Sequence, residues 1–99
     1  MDQLVNLKLG IVRFQLNELM ENALISINLS PDSRGKNYAK PCLENAISYL
    51  KTNFINCNTL YAEIKKDNFP SIKTFEGLNF QLLEEKKVRN DFLTYKLSI

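Results

Sequence analysis

The chain has 99 residues, of which 44% are apolar and 24% charged, and its formal net charge at pH 7 is +2. This length suits one domain and is too short for two, so residues 1–99 are predicted to form a single domain. A charge so close to balance does not favour a dedicated nucleic-acid binder, which usually shows a clear basic excess.

The sequence also predicts a cytoplasmic protein with no membrane partner. Acidic residues interrupt the amino-terminal region, so it lacks the pattern of a secretory signal. No apolar run approaches the roughly 18–20 residues that a membrane-spanning helix needs. The two cysteines, without secretory context, indicate reduced thiols.

The first 29 residues carry apolar side chains on two nearly opposite faces of a helical projection. One broad face holds Val5, Leu9, Val12, Leu16, Leu19, Met20, Ala23 and Ile27. The other holds Leu4, Leu7, Ile11 and Phe14. Residues 3–27 contain no proline and predict a long amino-terminal helix, with Gly10 as its weak point. Apolar residues alternate over positions 23–29, which leaves open that the helix ends before this segment.

Residues 30–37 form the clearest loop in the chain, because turn-forming residues are dense there. Gly35 and Lys36 fit part of the phosphate-loop pattern G-x-x-x-x-G-K-[ST]. Ser30 and Asn37, however, replace the first glycine and the metal-binding hydroxyl of that pattern. A polar loop between helices is therefore the preferred interpretation.

A second helix is predicted from Pro41 to about Asn56, since proline is tolerated in the first helical turn. Its apolar positions are Leu43, Ala46, Ile47, Leu50 and Phe54. Asn58 or Thr59 is expected to cap a short third helix bearing Leu60, Tyr61 and Ile64, which ends at residues 68–71.

The last segment, residues 78–99, fits two structures. Phe80, Leu83, Val88, Phe92 and Tyr95 give an imperfect helical stripe. Alternating apolar residues on either side of the charged stretch 84–87 instead fit a two-stranded hairpin. The predicted fold is therefore all-α, a small bundle of three to four helices with a long amino-terminal helix. The alternative is an α+β fold with a carboxyl-terminal β-hairpin.

The chain contains no histidine, which excludes Ser-His-Asp and Cys-His catalysis and every histidine-dependent zinc site within one chain. Cys42, near Lys40 in the predicted first turn of a helix, could be reactive, but buried packing is the commoner role of such a cysteine. Glu18 with Glu21, and Glu84 with Glu85, are interpreted as solvated surface groups. We therefore predict a protein that is not an enzyme and binds neither a cofactor nor a metal.

The predicted function is that of a small interaction protein: an adaptor, inhibitor or regulator that acts through helix-mediated contact as a homodimer or with another protein. A chain this short has few elements to cover both apolar faces of its first helix. The predicted partner-binding residues are Leu4, Leu7, Lys8, Ile11, Arg13 and Phe14. If residues 78–99 instead wrapped this face, the chain would be self-contained.

Nucleic-acid binding is the alternative function, which the interspersed acidic residues make less favoured. The basic residues that would converge on phosphates are Arg34, Lys36, Lys40, Lys65, Lys66, Lys86, Lys87 and Arg89.

Overall fold

The computed structural model describes residues 1–7, 10–29, 38–83 and 91–99, and within them it shows a mixed six-stranded sheet and two helices. In chain order the elements are β1 (Asp2–Leu7), β2 (Gly10–Leu16), β3 (Asn22–Leu29), α1 (Ala39–Asn53), β4 (Thr59–Lys65), α2 (Phe69–Gly77), β5 (Gln81–Leu82) and β6 (Phe92–Ser98). The strand order is β1-β2-β3-β4-β6-β5. Only the β3–β4 pair is parallel among the strand pairs described, and α1 provides its crossover.

One face of the sheet carries the hydrophobic core. Residues that share this face by register include the pairs Phe14↔Ile25, Ala23↔Leu60 and Ala62↔Tyr95, and all six side chains are buried. Buried residues of α1 and Phe75 of α2 belong to the same cluster, so both helices pack on this face. The opposite face has no helix on it in the described part of the chain.

The predicted amino-terminal helix is wrong, because β1, β2 and β3 occupy this region as an antiparallel meander. Val12, Phe14 and Leu16 point into the core, while the residues between them are exposed. Between β2 and β3 the chain turns tightly. There the Asn17 Oδ1 accepts hydrogen bonds from the main-chain N–H groups of Glu21 and Asn22, at 2.9 and 3.2 Å.

The second predicted helix is confirmed as α1, which buries Cys42, Leu43, Ala46, Ile47 and Leu50. The third predicted helix is wrong, since this segment forms β4, where Leu60, Ala62 and Ile64 alternate inward. The segment expected to end that helix begins α2 instead. Asn68 caps it by accepting a hydrogen bond from the main-chain N–H of Ser71, at 3.3 Å, and Pro70 lies in its first turn.

The all-α prediction is therefore wrong, and the fold is α+β. Of the two structures considered for residues 78–99, the structure shows the two-stranded one, with Gln81↔Lys96 and Leu82↔Tyr95 as antiparallel pairs. The charged stretch 84–87 between these strands lies outside the described residues. Neither α1 nor α2, the helices described, is long and apolar enough to cross a membrane.

Candidate functional site

The parallel strands β3 and β4 separate after a short paired stretch. They pair only at Asn22↔Thr59, Ala23↔Leu60 and Leu24↔Tyr61, although β3 continues to Leu29 and β4 to Lys65. Over the rest of its length β4 stays paired with β6 on its other side. A gap therefore opens toward the carboxyl ends of the two strands, the end at which α/β sheets commonly bind ligands.

A cleft of about 780 Å³ lies at this end of β3, a volume typical of small-molecule sites. The last residues of β3, the start of α1 and most of α2 line it. The lining residues are Ile27, Asn28, Leu29, Tyr38, Ala39, Leu43, Asn68, Phe69, Pro70, Ser71, Lys73, Thr74 and Phe75. Three separate elements thus converge on one concave surface.

Main-chain groups of β3 that have no strand partner among the described residues border the gap. Met1 and Leu16 exchange two main-chain hydrogen bonds, of 3.0 and 2.7 Å, and the register from β1 through β3 is continuous. Because an antiparallel ladder alternates, Ser26 and Asn28 direct their N–H and C=O groups to β2. Ile27 and Leu29 then direct theirs to the β4 side, beyond the last β3–β4 pair.

The amino end of α1, which also lines the cleft, has hydrogen-bond donors without a partner in the part of the chain that the structure describes. Tyr38 provides no side-chain cap, and its main-chain oxygen accepts only from the Cys42 N–H, at 3.2 Å, among the bonds found in the described residues. Pro41 has no N–H, and the N–H groups of Ala39 and Lys40 have no partner within residues 1–7, 10–29, 38–83 and 91–99. Such donors, together with the helix dipole, favour an anion.

Phe75, which lines the cleft, is supported from behind by a second aromatic residue. The rings of Phe75 and Phe80 are in T-shaped contact, with centroids 5.0 Å apart, and both residues are buried. One residue further along α2, the Glu76 Oε2 accepts a hydrogen bond from the Tyr95 hydroxyl at 3.1 Å. Burial raises the pKa of Tyr95, and the Glu76 carboxylate raises it further. This bond fixes α2 to β6, and so holds the cleft wall in place.

The predicted partner-binding residues do not form one surface. Leu4 and Ile11 are exposed on the open face of the sheet, and Arg13 forms an ion pair there with Asp2 at 2.7 Å. Phe14 is buried on the opposite face, and Leu7 packs partly against the same core. Lys8 lies outside the described residues. Strand alternation splits the set, and none of its described members lines the cleft.

The predicted phosphate-binding set can be placed only in part. Lys40 is exposed at the start of α1, and Lys65 and Lys66 are exposed at the end of β4. Five further members lie outside the described residues: Arg34, Lys36, Lys86, Lys87 and Arg89. Within the part of the chain that is described, the basic residue that lines the cleft is Lys73, which the sequence interpretation missed.

The other candidate groups lie apart from the cleft lining or outside the described residues. Both cysteines are buried, and burial raises the pKa of Cys57. The Cys57 thiol donates to the main-chain oxygen of Thr59. Glu18 and Glu21 lie in the β2–β3 turn, at the end of β3 away from the cleft. Glu84, Glu85 and the loop 30–37 lie outside the described residues. Among the described residues no three His, Cys, Asp or Glu side chains come together as a metal site.

A family model described as the acetyltransferase (GNAT) family matches residues 9–80. The chain belongs to the GNAT acetyltransferase family. This membership corrects the prediction of a non-enzymatic, helix-mediated adaptor or regulator, and its nucleic-acid-binding alternative, because the family is one of enzymes. No curated protein matches the chain in sequence.

Several solved structures share the fold of this chain. A variant of spermidine N-acetyltransferase SpeG from Vibrio cholerae has a TM-score of 0.77 at 19% identity, over 98% of this chain and 64% of that one. N-acetyltransferase PseH from Campylobacter jejuni, in complex with acetyl coenzyme A, has a TM-score of 0.71 at 22% identity, over 91% and 59%. A domain from Methanocaldococcus jannaschii has a TM-score of 0.74 at 23% identity, over 97% and 63%. The chain thus spans about three fifths of the length of these structures.

The sequence contains signals for β4 and for the start of α2, but none for the gap between β3 and β4. The strict alternation of Leu60, Ala62 and Ile64 is a strand signal that the helical interpretation passed over. Asn68 followed by Pro70 is the usual start of a helix, and it was interpreted as an end. The divergence of β3 from β4 has no local signal, because it depends on residues more than 30 positions apart.

Proposed function

We propose that this GNAT chain binds acetyl-CoA in the cleft between β3, α1 and α2 and transfers the acetyl group to an amine. The observation that carries the proposal is the gap beyond Leu24 and Tyr61. There, main-chain groups of β3 without a partner among the described residues adjoin the start of α1 in one cleft. Support also comes from the family and from the names of the structural relatives, one of which contains acetyl coenzyme A.

The edge of β3 fits the extended arm of acetyl-CoA, which contains two amide groups. Ile27 and Leu29 present N–H donors and C=O acceptors of the kind that a neighbouring strand would use. An extended ligand with amides can pair with such an edge as an added strand does. Because β2 occupies only the other side of β3, this pairing requires no rearrangement of the sheet.

The start of α1 and Lys73 fit the phosphates of the same ligand. The N–H groups of Ala39 and Lys40 are available to phosphate oxygens, and Lys73 adds a positive charge to the lining. The segment 30–37, with Gly35 and Lys36, connects Leu29 to Tyr38, both of which line the cleft. A contribution from this segment stays a prediction made from its sequence.

Acetyl-CoA supplies a thioester whose carbonyl carbon an amine can attack, with the CoA thiol as leaving group. Phe75 and Leu43 keep water from one side of the cleft and so lower its local dielectric, which strengthens hydrogen bonds made inside it. The chain has no histidine to carry a proton between the amine and the thiolate. The amine loses one proton as it is acylated and the thiolate gains one as it leaves, so the transfer balances.

The binding part of this proposal is tested by titrating acetyl-CoA calorimetrically into the wild-type chain, Lys73→Glu and Lys51→Glu. Lys73 lines the cleft, whereas Lys51 is an exposed lysine in the last turn of α1. Reversing the charge at Lys73 should weaken binding about 5- to 30-fold, equivalent to about 1–2 kcal/mol. Lys51→Glu should bind as the wild type does. Equal effects of the two substitutions, or no wild-type binding, would contradict the assignment of the cleft.

The catalytic part is tested by the release of free CoA thiol in the presence of a panel of primary amines. Lys73→Glu should raise the KM for acetyl-CoA and leave kcat nearly unchanged, because its charge contacts a part of the ligand that does not react. Lys51→Glu, in the last turn of α1, is the matched control. No amine-dependent thiol release by the wild type would refute acetyl transfer and leave the binding site untouched.

A further inference from the structure

Two side chains near the start of α2 line the cleft without belonging to the core. Phe69 is 67% exposed, and Lys73 is exposed about one helical turn further along. Residues four positions apart are neighbours on a helix surface, so the ring and the ammonium group lie on one side of α2. Ile72 packs against the hydrophobic core from another side of the helix. One wall of the cleft therefore carries an aromatic ring and a positive charge next to each other.

The first turns of α2 hold these two side chains on a well-defined backbone. The Asn68 side chain caps the helix, and the Thr74 hydroxyl donates to the main-chain oxygen of Pro70 at 2.9 Å. The ring of Pro70 also fixes its φ angle in the first turn. In the part of the chain that the structure describes, Lys73 has no ion-pair partner. An anionic ligand can thus bind to Lys73 without breaking an ion pair of these residues.

A nucleobase with a phosphate close to it matches this pair of side chains. Nucleobases stack on aromatic rings, and a lysine ammonium group binds phosphate as a point charge. In acetyl-CoA, the part that carries both a base and an adjacent phosphate is the 3′-phosphoadenosine. The amides of the pantetheine arm fit the edge of β3, and the diphosphate fits the start of α1. The 3′-phosphoadenosine is then the part of the ligand that still needs a binding surface.

We propose that Phe69 and Lys73 form the subsite for the 3′-phosphoadenosine of acetyl-CoA. Phe69 stacks on the adenine, and Lys73 binds the 3′-phosphate. This inference rests on the proposed function, because it assigns one end of the ligand that the same cleft would bind. The subsite contacts a part of acetyl-CoA that does not react, so it contributes affinity for the donor and leaves the chemical step unchanged.

The test is a calorimetric titration with three thioesters that differ at this end of the ligand. Acetyl-CoA is complete, acetyl-dephospho-CoA lacks the 3′-phosphate, and acetyl-4′-phosphopantetheine lacks the adenosine nucleotide. Phe69→Ala should weaken the binding of acetyl-CoA and of acetyl-dephospho-CoA about 5- to 30-fold, because both contain adenine. It should not change the binding of acetyl-4′-phosphopantetheine. Phe69→Tyr keeps an aromatic ring and should bind acetyl-CoA nearly as the wild type does.

The same titrations test Lys73. Lys73→Gln should weaken the binding of acetyl-CoA about 3- to 5-fold and leave that of acetyl-dephospho-CoA unchanged, because the phosphate that pairs with Lys73 is then absent. Tyr49→Ala and Lys51→Gln are the matched controls, since they remove an exposed ring and a charge from α1 outside the cleft lining. Both controls should bind all three thioesters as the wild type does. Circular dichroism confirms that each variant is folded.

A second measurement needs no variant: nuclear Overhauser effects between the Phe69 ring protons and the adenine protons of acetyl-CoA bound to the wild type. Their presence would support the stacking, and their absence from a saturated complex would overturn it. A wild type that binds none of the three thioesters would refute the proposed function together with this subsite. If the wild type binds acetyl-CoA, but Phe69→Ala weakens all three thioesters equally or none of them, the subsite alone is wrong. Equal weakening of acetyl-CoA and acetyl-dephospho-CoA by Lys73→Gln would likewise overturn the 3′-phosphate assignment.

Discussion

Tyr95 is the residue that joins the last long strand to the helix at the cleft wall. Its ring is buried in the core and its hydroxyl donates to the Glu76 carboxylate. Both burial and this carboxylate raise the pKa of Tyr95, because they disfavour the phenolate. The residue therefore links stability to pH in the alkaline range.

Tyr95→Phe should destabilise the chain by about 1 kcal/mol at neutral pH through loss of this hydrogen bond. Above about pH 10, the ordinary pKa of tyrosine, Tyr95 ionises first in the unfolded chain, so wild-type stability falls as pH rises through the raised folded-state pKa. Phenylalanine has no ionisable proton, so the difference in free energy of unfolding between the wild type and Tyr95→Phe should shrink above about pH 10. Urea denaturation at several pH values measures this difference. The exposed Tyr49→Phe substitution is the control, and an unchanging difference would contradict the account.

Strands were harder to predict than helices for reasons visible in particular elements. The residues of α1 have one buried face and a polar remainder, so the three- and four-residue spacing identifies the helix directly. In β2 and β3, Val12, Leu16, Ala23 and Ile27 fit a helical spacing and also alternate along strands. Only the pairing of β2 with both β1 and β3 decides between helix and strand in this region. Such pairing is not a property of the local sequence.

The β2–β3 pair depends on Gly10, which lies directly beside the end of β3 that lines the cleft. A Cβ added at Gly10 would lie 2.6 Å from the main-chain oxygen of Asn28 and 3.0 Å from the Leu29 Cα. A main-chain neighbour cannot move away as a flexible side chain can. The close approach of these strands therefore requires glycine at this position.

Gly10→Ala should destabilise the chain by about 1–3 kcal/mol and also weaken acetyl-CoA binding, because Asn28 and Leu29 must shift. Gly77→Ala is the matched change, since nothing lies within 4 Å of the added atom at the end of α2. It should stabilise the chain by about 0.5–1 kcal/mol. Thermal unfolding and calorimetric titration with acetyl-CoA compare the two variants. A Gly10→Ala chain as stable as the wild type would show that β2 and β3 can move apart without a loss of stability.

At the scale of the whole molecule, the sheet divides the chain into regions with different roles. One face carries both helices and the core, and the carboxyl ends of β3 and β4 open into the cleft. The edge strand β1 and the open face carry the exposed Leu4 and Ile11. The sequence shows that the amino-terminal region has more apolar residues than one face can bury. It does not show the cleft, because the cleft walls come from three segments that are distant in sequence.

The most direct test of the account is a titration of the isotopically labelled chain with acetyl-CoA, followed by amide chemical-shift changes in nuclear magnetic resonance spectra. We predict saturable changes at Ile27 and Leu29, at Ala39 and Lys40, and along the first turns of α2. The amides of β1 should not respond. Absence of saturable changes, or changes confined to residues outside the cleft, would contradict the assignment of this cleft as the acetyl-CoA site.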